Sequence, residues 1–399
     1  VTAIGQQVAR GVRTPLGTVA GMLGAGALAA ISPAVAQAGW WALAGLALAA
    51  VVASMTAVSL ADLTAASCSQ SAYLHVRERL GVVPGRLAGV LGLAGRIVAI
   101  GAVANMVTAY VAPTGSAGLL MILPICVAYL CHALGVRLSS SLWRAVAVVL
   151  IVTLGVVVAV GLAIAPAEHL TISQSGDIGS SDATGILAAA GLLFFCFAGV
   201  DRQSGRGARS AVAAVGIASL GVLLVMIVAL RQLGGARLAL SPVPLRDTLA
   251  AADASALDLV LTIGMAAGGI LALYVLVGGA MDFALDMGET GDLPKLGGWL
   301  GPVIPLAVAA GGVSIFLSAA DAVALAACLV LVSYAFVNSA ARSLCRAQRS
   351  TRVRTGCCGL ALSVIVAVNI SVVSLLSAVG VVVVGTLLCT LSARRTDRA

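Results

Sequence analysis

About twelve apolar segments, most of them continuous runs of roughly 20 residues, follow one another along this chain. A run of that length crosses a hydrocarbon layer as a helix, with its backbone groups satisfied inside the segment. A membrane barrel needs short alternating segments instead, and these runs do not alternate. The spans read 16–37, 40–64, 85–111, 117–135, 142–164, 185–200, 211–231, 257–287, 300–318, 321–341, 357–373 and 375–391. The last two are short, a hairpin that barely spans or one long re-entrant unit, and are counted as two spans. Only 10% of the residues are charged, against about a quarter in a soluble domain. The expected fold class is an all-α polytopic membrane protein.

The basic residues order the segments. Arg10 and Arg13 precede the first, and Arg77, Arg79 and Arg86 follow the second. Arg137 and Arg144, then Arg202, Arg206 and Arg209, then Lys295, then Arg342, Arg346, Arg349, Arg352 and Arg354 follow the fourth, sixth, eighth and tenth. Arg394, Arg395 and Arg398 close the chain. With alternating spans all of these lie on one side. The other side holds Arg231, Arg237 and Arg246 and an acidic loop with Glu168, Asp177 and Asp182. The bias predicts both termini in the cytoplasm and a multi-pass protein of the cytoplasmic membrane. It also accounts for the net charge of +8 without nucleic acid. Gln6 to Arg13 reads as a polar, basic lead-in, not as a cleavable signal. Arg96 is the lone basic residue inside a span; it faces protein or a water-filled cavity, or it reaches the interface from a helix end.

The nine cysteines fall mostly inside apolar segments and share no metal spacing with His75, His132 and His169. No metal or cofactor is expected. His132 stands near the end of the fourth segment without a catalytic partner motif, so an enzyme is not expected either.

Two segments are interrupted. The first carries Gly21, Gly24 and Gly26; the sixth carries Phe194-Phe195-Cys196-Phe197-Ala198-Gly199. Breaks at matching places in two halves of a membrane protein point to a transporter's binding site. Gly17, Gly21 and Ala25 also have the small-xxx-small spacing of helix packing, so spacing alone leaves both roles open.

Several short elements, in order, resemble the amino acid–polyamine–organocation (APC) superfamily of permeases over roughly residues 14 to 340. Gly24-Ala25-Gly26-Ala27-Leu28 stands where that family has a G-S-G-I-F-like break, followed by Ile31-Ser32-Pro33-Ala34 and Ala38-Gly39-Trp40. Ala61-Asp62-Leu63 and Ser69-Gln70-Ser71-Ala72-Tyr73 match its A-E-L and P-x-G-G-x-Y elements, although Gln70 and Ser71 replace the glycine pair. Val76-Arg77 and Leu80-Gly81 fit as well, and Leu134-Gly135-Val136-Arg137 resembles the turn into segment 5. Phe194 to Gly199 resembles the F-x-F-x-G break, and Gly291-Asp292-Leu293-Pro294-Lys295 the D-G-x-x-P-K element.

The resemblance implies a five-plus-five inverted repeat of the LeuT-like kind, with broken helices 1 and 6. It divides the chain into a cytoplasmic tail (1–15), a first repeat (16–164), a second repeat (185–341), two extra helices (357–391) and a second tail (392–399). Substrate is expected between the breaks. The backbone N–H groups of Gly24, Ala25 and Gly26 suit a carboxylate at the positive end of a half-helix. The carbonyls of Phe197, Ala198 and Gly199 suit an ammonium group; an aromatic beside the break, among Phe194, Phe195 and Phe197, could cover the substrate and gate the pathway, with packed or lipid-facing aromatics the alternative. Asp282 and Asp286, one helical turn apart in segment 8, are candidates for binding a coupling H+ or Na+. The alternative is that segment 8 already nears the cytoplasmic surface there.

The chain departs from its relatives in two further ways. Leu150 stands where some proton-coupled relatives place a Lys in segment 5. Only Val200 to Arg209 separate the second break from segment 7, a shorter connection than the family's. The leading expectation is a secondary active transporter, permease or exchanger, of amino acids or related amines. It would work by alternating access, be surrounded by membrane lipid, and be open to homo-oligomer formation. The alternative is a degenerate member that acts as a sensor or accessory subunit.

Overall fold

The computed structural model describes residues 15–25, 29–67, 71–112, 117–134, 140–165, 182–294, 301–351 and 354–396. These residues are helical throughout, with turns and bends between. In chain order the helices are α1 (Pro15–Ala25), α2 (Ile31–Ala38), α3 (Ala42–Ala66), α4 (Ala72–Leu80), α5 (Val82–Val111), α6 (Ala117–Ala133) and α7 (Ser140–Ala163). Then come α8 (Ala183–Leu193), α9 (Ala208–Leu240), α10 (Pro244–Ala251), α11 (Asp258–Glu289), α12 (Val303–Phe316), α13 (Ala319–Ala341), α14 (Thr355–Val368) and α15 (Val372–Thr396). Among the described residues seven helical stretches are long and apolar enough to cross a membrane, and shorter apolar helices lie between them.

Helix α5 lies at the centre, packed against α11 on one side and α13 on the other. Its small residues allow this. A methyl group on Gly92 would come within 2.6 Å of the Phe283 ring, and one on Gly95 within 2.8 Å of Val330. Close approach of this kind gives membrane helices the dispersion contacts that replace a hydrophobic driving force. Helix α3 packs against α8 and α9, and α14 rests on α13 and α3.

The polar groups inside the spans join helices. Asn105 Nδ2 donates to the Leu317 carbonyl at 3.4 Å, and Asn338 Nδ2 to Thr56 Oγ1 at 3.1 Å. Tyr110 accepts from the Leu245 N–H at 3.2 Å. At the start of α13 the cap is Ser318, whose hydroxyl accepts from the Asp321 N–H at 3.1 Å. Asp321 is one turn inside and accepts from the same hydroxyl at 2.6 Å.

Three elements extend the sequence reading. Helix α9 runs on to Leu240 through a kink at Gly234, whose φ of 72° suits glycine. Helix α10 follows it. It is tied down by Arg246, which donates to the Tyr110 carbonyl at 2.8 Å and pairs with Asp258 at 2.6 Å. Helix α4 fills the loop after the second span and carries a clasp. Asp292, wholly buried, accepts from Tyr73 Oη at 2.6 Å, pairs with Arg86 at 2.8 Å, and also pairs with Arg77.

Candidate functional site

The two interrupted segments meet. Helix α1 ends at Ala25, and the chain continues through a π turn at 29–30 into α2. Gly26 lies outside the described residues, as does Lys295. Helix α8 loses its α-helical geometry at Phe194, runs as a 3-10 turn over Phe194–Phe197, and resumes as a second 3-10 stretch, Val200–Arg206. Gly207, at φ 84°, ends it and opens α9.

A small space remains where α1, the break and α11 converge. Gly21 and Met22 line it from α1, Phe195, Cys196, Ala198 and Gly199 from the break, and Ala272, Val275 and Leu276 from α11. Its volume is about 20 Å³, room for a single water. The second break is therefore closed, against α1 and α11, around an apolar, nearly filled junction.

Of the expected site residues, Phe195, Ala198 and Gly199 line this space. Phe197 is buried elsewhere, edge-on to Phe194, which in turn packs edge-on against Tyr334. Gly24 is a packing position: a methyl group there would lie 2.6 Å from the Gly268 carbonyl oxygen of α11. Behind that contact sits Leu150 of α7, whose Cδ1 would lie 2.9 Å from a methyl group on Gly268.

Just beyond the break lies a buried set of charges. Arg96 of α5 pairs with Asp201 at 2.7 Å, its side chain 3% exposed. The guanidinium also donates to the Gly92 carbonyl at 2.8 Å and lies 4.0 Å over the Phe283 ring. A buried guanidinium is held by such combined charge, hydrogen-bond and cation–π partners. Tyr334 of α13 points its hydroxyl at the Ala198 carbonyl (3.3 Å) and the Asp201 carboxylate (3.2 Å). Three carbonyls of the break are thus engaged, since the Ala198 N–H donates to the Phe195 carbonyl at 3.2 Å and the Arg202 N–H to that of Gly199 at 3.1 Å. Arg96 is within protein, the first of the two settings open to it from sequence.

Arg202 differs from its expected place among the cytoplasmic loop charges. It turns back against α11 and pairs with Asp282 at 2.9 Å. Asp282 is 45% exposed at its side chain, and Asp286 follows beside Ser71. The pair Gly278-Gly279 makes the room. A methyl group on Gly278 would meet Arg202 Nη2 at 2.8 Å and His132 Nε2 at 3.0 Å, and one on Gly279 would meet Arg96 Nε at 2.8 Å. His132, isolated in the sequence, packs against Tyr274 with ring centroids 4.0 Å apart and the rings tilted by 44°. The glycine pair and the Asp201-Arg202 pair are the signals that a reading by loops passed over.

Long apolar helices packed around a discontinuous segment, with paired charges next to the break, make up a multi-pass membrane protein. No family model matches the chain. It is 34% identical over 347 residues to an uncharacterized transporter of Mycobacterium tuberculosis (strain ATCC 25618 / H37Rv), covering 81% of this chain and 77% of the relative. An uncharacterized transporter of Mycobacterium bovis matches to the same extent. The chain belongs to this family of transporters, and it is not an enzyme. Among solved structures it resembles a manganese transporter of Eremococcus coleocola, crystallised with an aromatic bis-isothiourea substituted compound. The TM-score is 0.56 at 13% identity, over 95% of this chain and 94% of the other. That likeness extends to the fold alone.

Proposed function

We propose that the chain is a secondary transporter of amino acids or related amines, binding its substrate where α1 and the Phe194–Gly199 break meet α11. The observation that carries this reading is the convergence of both interrupted segments on one small space lined by Phe195, Ala198 and Gly199. Backbone freed from helical bonding offers N–H groups to a carboxylate and carbonyls to an ammonium group, without a charged side chain in the site. Gly24 and Ala25 lie in the last turn of α1, their N–H groups bonded within the helix, so N–H groups from Gly26 onward would supply the first, and the Phe197 to Gly199 carbonyls the second once Tyr334 and Arg202 release those of Ala198 and Gly199.

In this reading the space is in a closed state and opens when the Val200–Arg206 stretch moves away from α5 and α11. That movement has to part Arg202 from Asp282 and to strain Arg96 against Asp201. Asp282, with Asp286 one turn on, is the candidate for sensing a coupling ion. A segmental inverted repeat, with both termini in the cytoplasm, accompanies the proposal.

Counterflow in proteoliposomes, with labelled amino acids and amines, tests it. Uptake of one class, lost in Gly199→Leu, is the expected result; a methyl at Gly199 already lies 3.2 Å from Val275 Cγ1. No uptake by a folded sample overturns it in favour of a sensor or accessory role, for which the short connection after the break is the motivation.

A further inference from the structure

Away from the breaks, a polar cavity of about 160 Å³ opens where the ends of α3, α13 and α14 meet. It is lined by three arginines, Arg342, Arg349 and Arg354, by one carboxylate, Asp62, and by Thr355 and Gly356 in the first turn of α14. The three cations arrive from separate places: the C-cap of α13, the loop after it, and the N-cap of α14.

The loop that carries them is built. Arg349 donates through Nε and Nη2 to the Leu344 carbonyl, at 3.0 and 2.6 Å. The Ser350 N–H donates to Asp62 at 3.0 Å. Cys345 and Gln348 close a capping box between them. Gly356 seats the start of α14 directly on α13, since a methyl group there would lie 2.8 Å from the Asn338 carbonyl.

The charges inside are not balanced. Among the described residues no ion pair forms to Arg342, Arg349 or Arg354. Helix α14 has no side-chain cap, and its positive end faces the cavity. Three guanidinium groups against one carboxylate leave a net positive site, and guanidinium forks match phosphate oxygens. The side on which the arginine bias places this loop is the cytoplasmic one, where anionic headgroups lie.

We propose that this cavity binds a phosphate ester, with the Arg342, Arg349 and Arg354 guanidinium groups on its oxygens. Asp62 keeps a carboxylate oxygen for a hydroxyl or ammonium group on the same molecule. The source is either the headgroup of an anionic lipid or a soluble phosphate, and the site's chemistry is the same for both.

The test uses the full chain in phosphatidylcholine nanodiscs at constant ionic strength, following the thermal unfolding midpoint. One arm adds increasing phosphatidylglycerol to the nanodiscs, and the other adds inorganic phosphate. Saturable stabilisation in the first arm alone assigns a lipid, in the second alone a soluble ligand, and in both the phosphate group itself. Arg342→Gln and Arg354→Gln, at exposed positions that the loop does not need for its own bonds, should each weaken the apparent affinity roughly fivefold. Arg349→Gln should do at least as much. Arg346→Gln, on the same loop but outside the lining, should leave it unchanged. No stabilisation in either arm, or an equal loss in Arg346→Gln, overturns the proposal.

Discussion

Arg96 and Asp201 form a buried ion pair, 2.7 Å long, between the central helix α5 and the short stretch that follows the Phe194–Gly199 break. Removing one partner strands the other in a low-dielectric interior, which typically costs about 3–5 kcal/mol. Arg96→Met and Asp201→Leu should therefore each lower stability by about that amount. The double variant should recover a large part, because neither charge is then left alone. Chemical unfolding of the four proteins in detergent gives the cycle. Simple addition of the two single effects would show that the pair does not act as one.

The second pair should behave differently. Asp282 is half-exposed, and its bond to Arg202 is screened by solvent, so Asp282→Asn should change stability by less than about 1 kcal/mol. If Asp282 senses the coupling ion, its removal flattens the pH dependence of counterflow while exchange persists. An unchanged pH profile would take Asp282 out of coupling.

Gly24 has no room for a side chain. Its added methyl would lie 2.6 Å from the Gly268 carbonyl oxygen, so the backbones of α1 and α11 have to part. Gly24→Ala should destabilise by about 1–3 kcal/mol. Gly216→Ala, with nothing within 4 Å of the new methyl, should be neutral or stabilising by up to about 1 kcal/mol. Equal midpoints for the two variants would contradict the contact.

His75, in α4 outside the spans, is 1% exposed. Burial first, and then the charge of Arg79, push its imidazole down to about 4. Its ring nitrogens lie 2.9 Å from Ser67 Oγ and 3.3 Å from Thr64 Oγ1. Because the folded value lies below the unfolded one, the unfolded chain binds the extra proton between about pH 6.5 and 4. The contribution is complete above that window and is lost as pH falls through it, up to about 3 kcal/mol. Unfolding free energies measured across the window should slope for the native chain and flatten for His75→Gln.

Most helices were legible because their apolar runs are long enough to span and too long for a strand, and the observed α5, α7 and α11 follow the expected spans closely, whereas α6, α8, α12 and α14 are shorter than a span needs. Helix α10 was not. Its residues include Arg246 and Asp247 and carry no apolar run, and it is held by Asp258 at the start of the next long helix and by Tyr110, 136 residues from Arg246. Phe194 to Gly199 announced a break through composition. Whether Gly24 lines a cavity or packs a helix could not be read, since the same small residue serves both; Gly268 across from it decides. Arg202 was assigned by the sign of its loop, and loop counting does not say which arginine turns back to a carboxylate on another helix.

The clasp at Asp292 has a consequence for how the chain is made. Its partner Arg86 precedes it by 206 residues, a stretch that takes about 10–40 s to synthesise at ordinary ribosome speeds. For that interval Arg77 and Arg86 have no carboxylate from Asp292, and on the proposed topology they would stay hydrated at the cytoplasmic surface, where positive charge orients helices during insertion. When Asp292 emerges, it leaves water for a place between residues that had already served as topological signals. On that topology the same two arginines would act first during insertion and then in assembly, and a chain arrested before Asp292 should hold its early helices correctly oriented but not yet locked to α11.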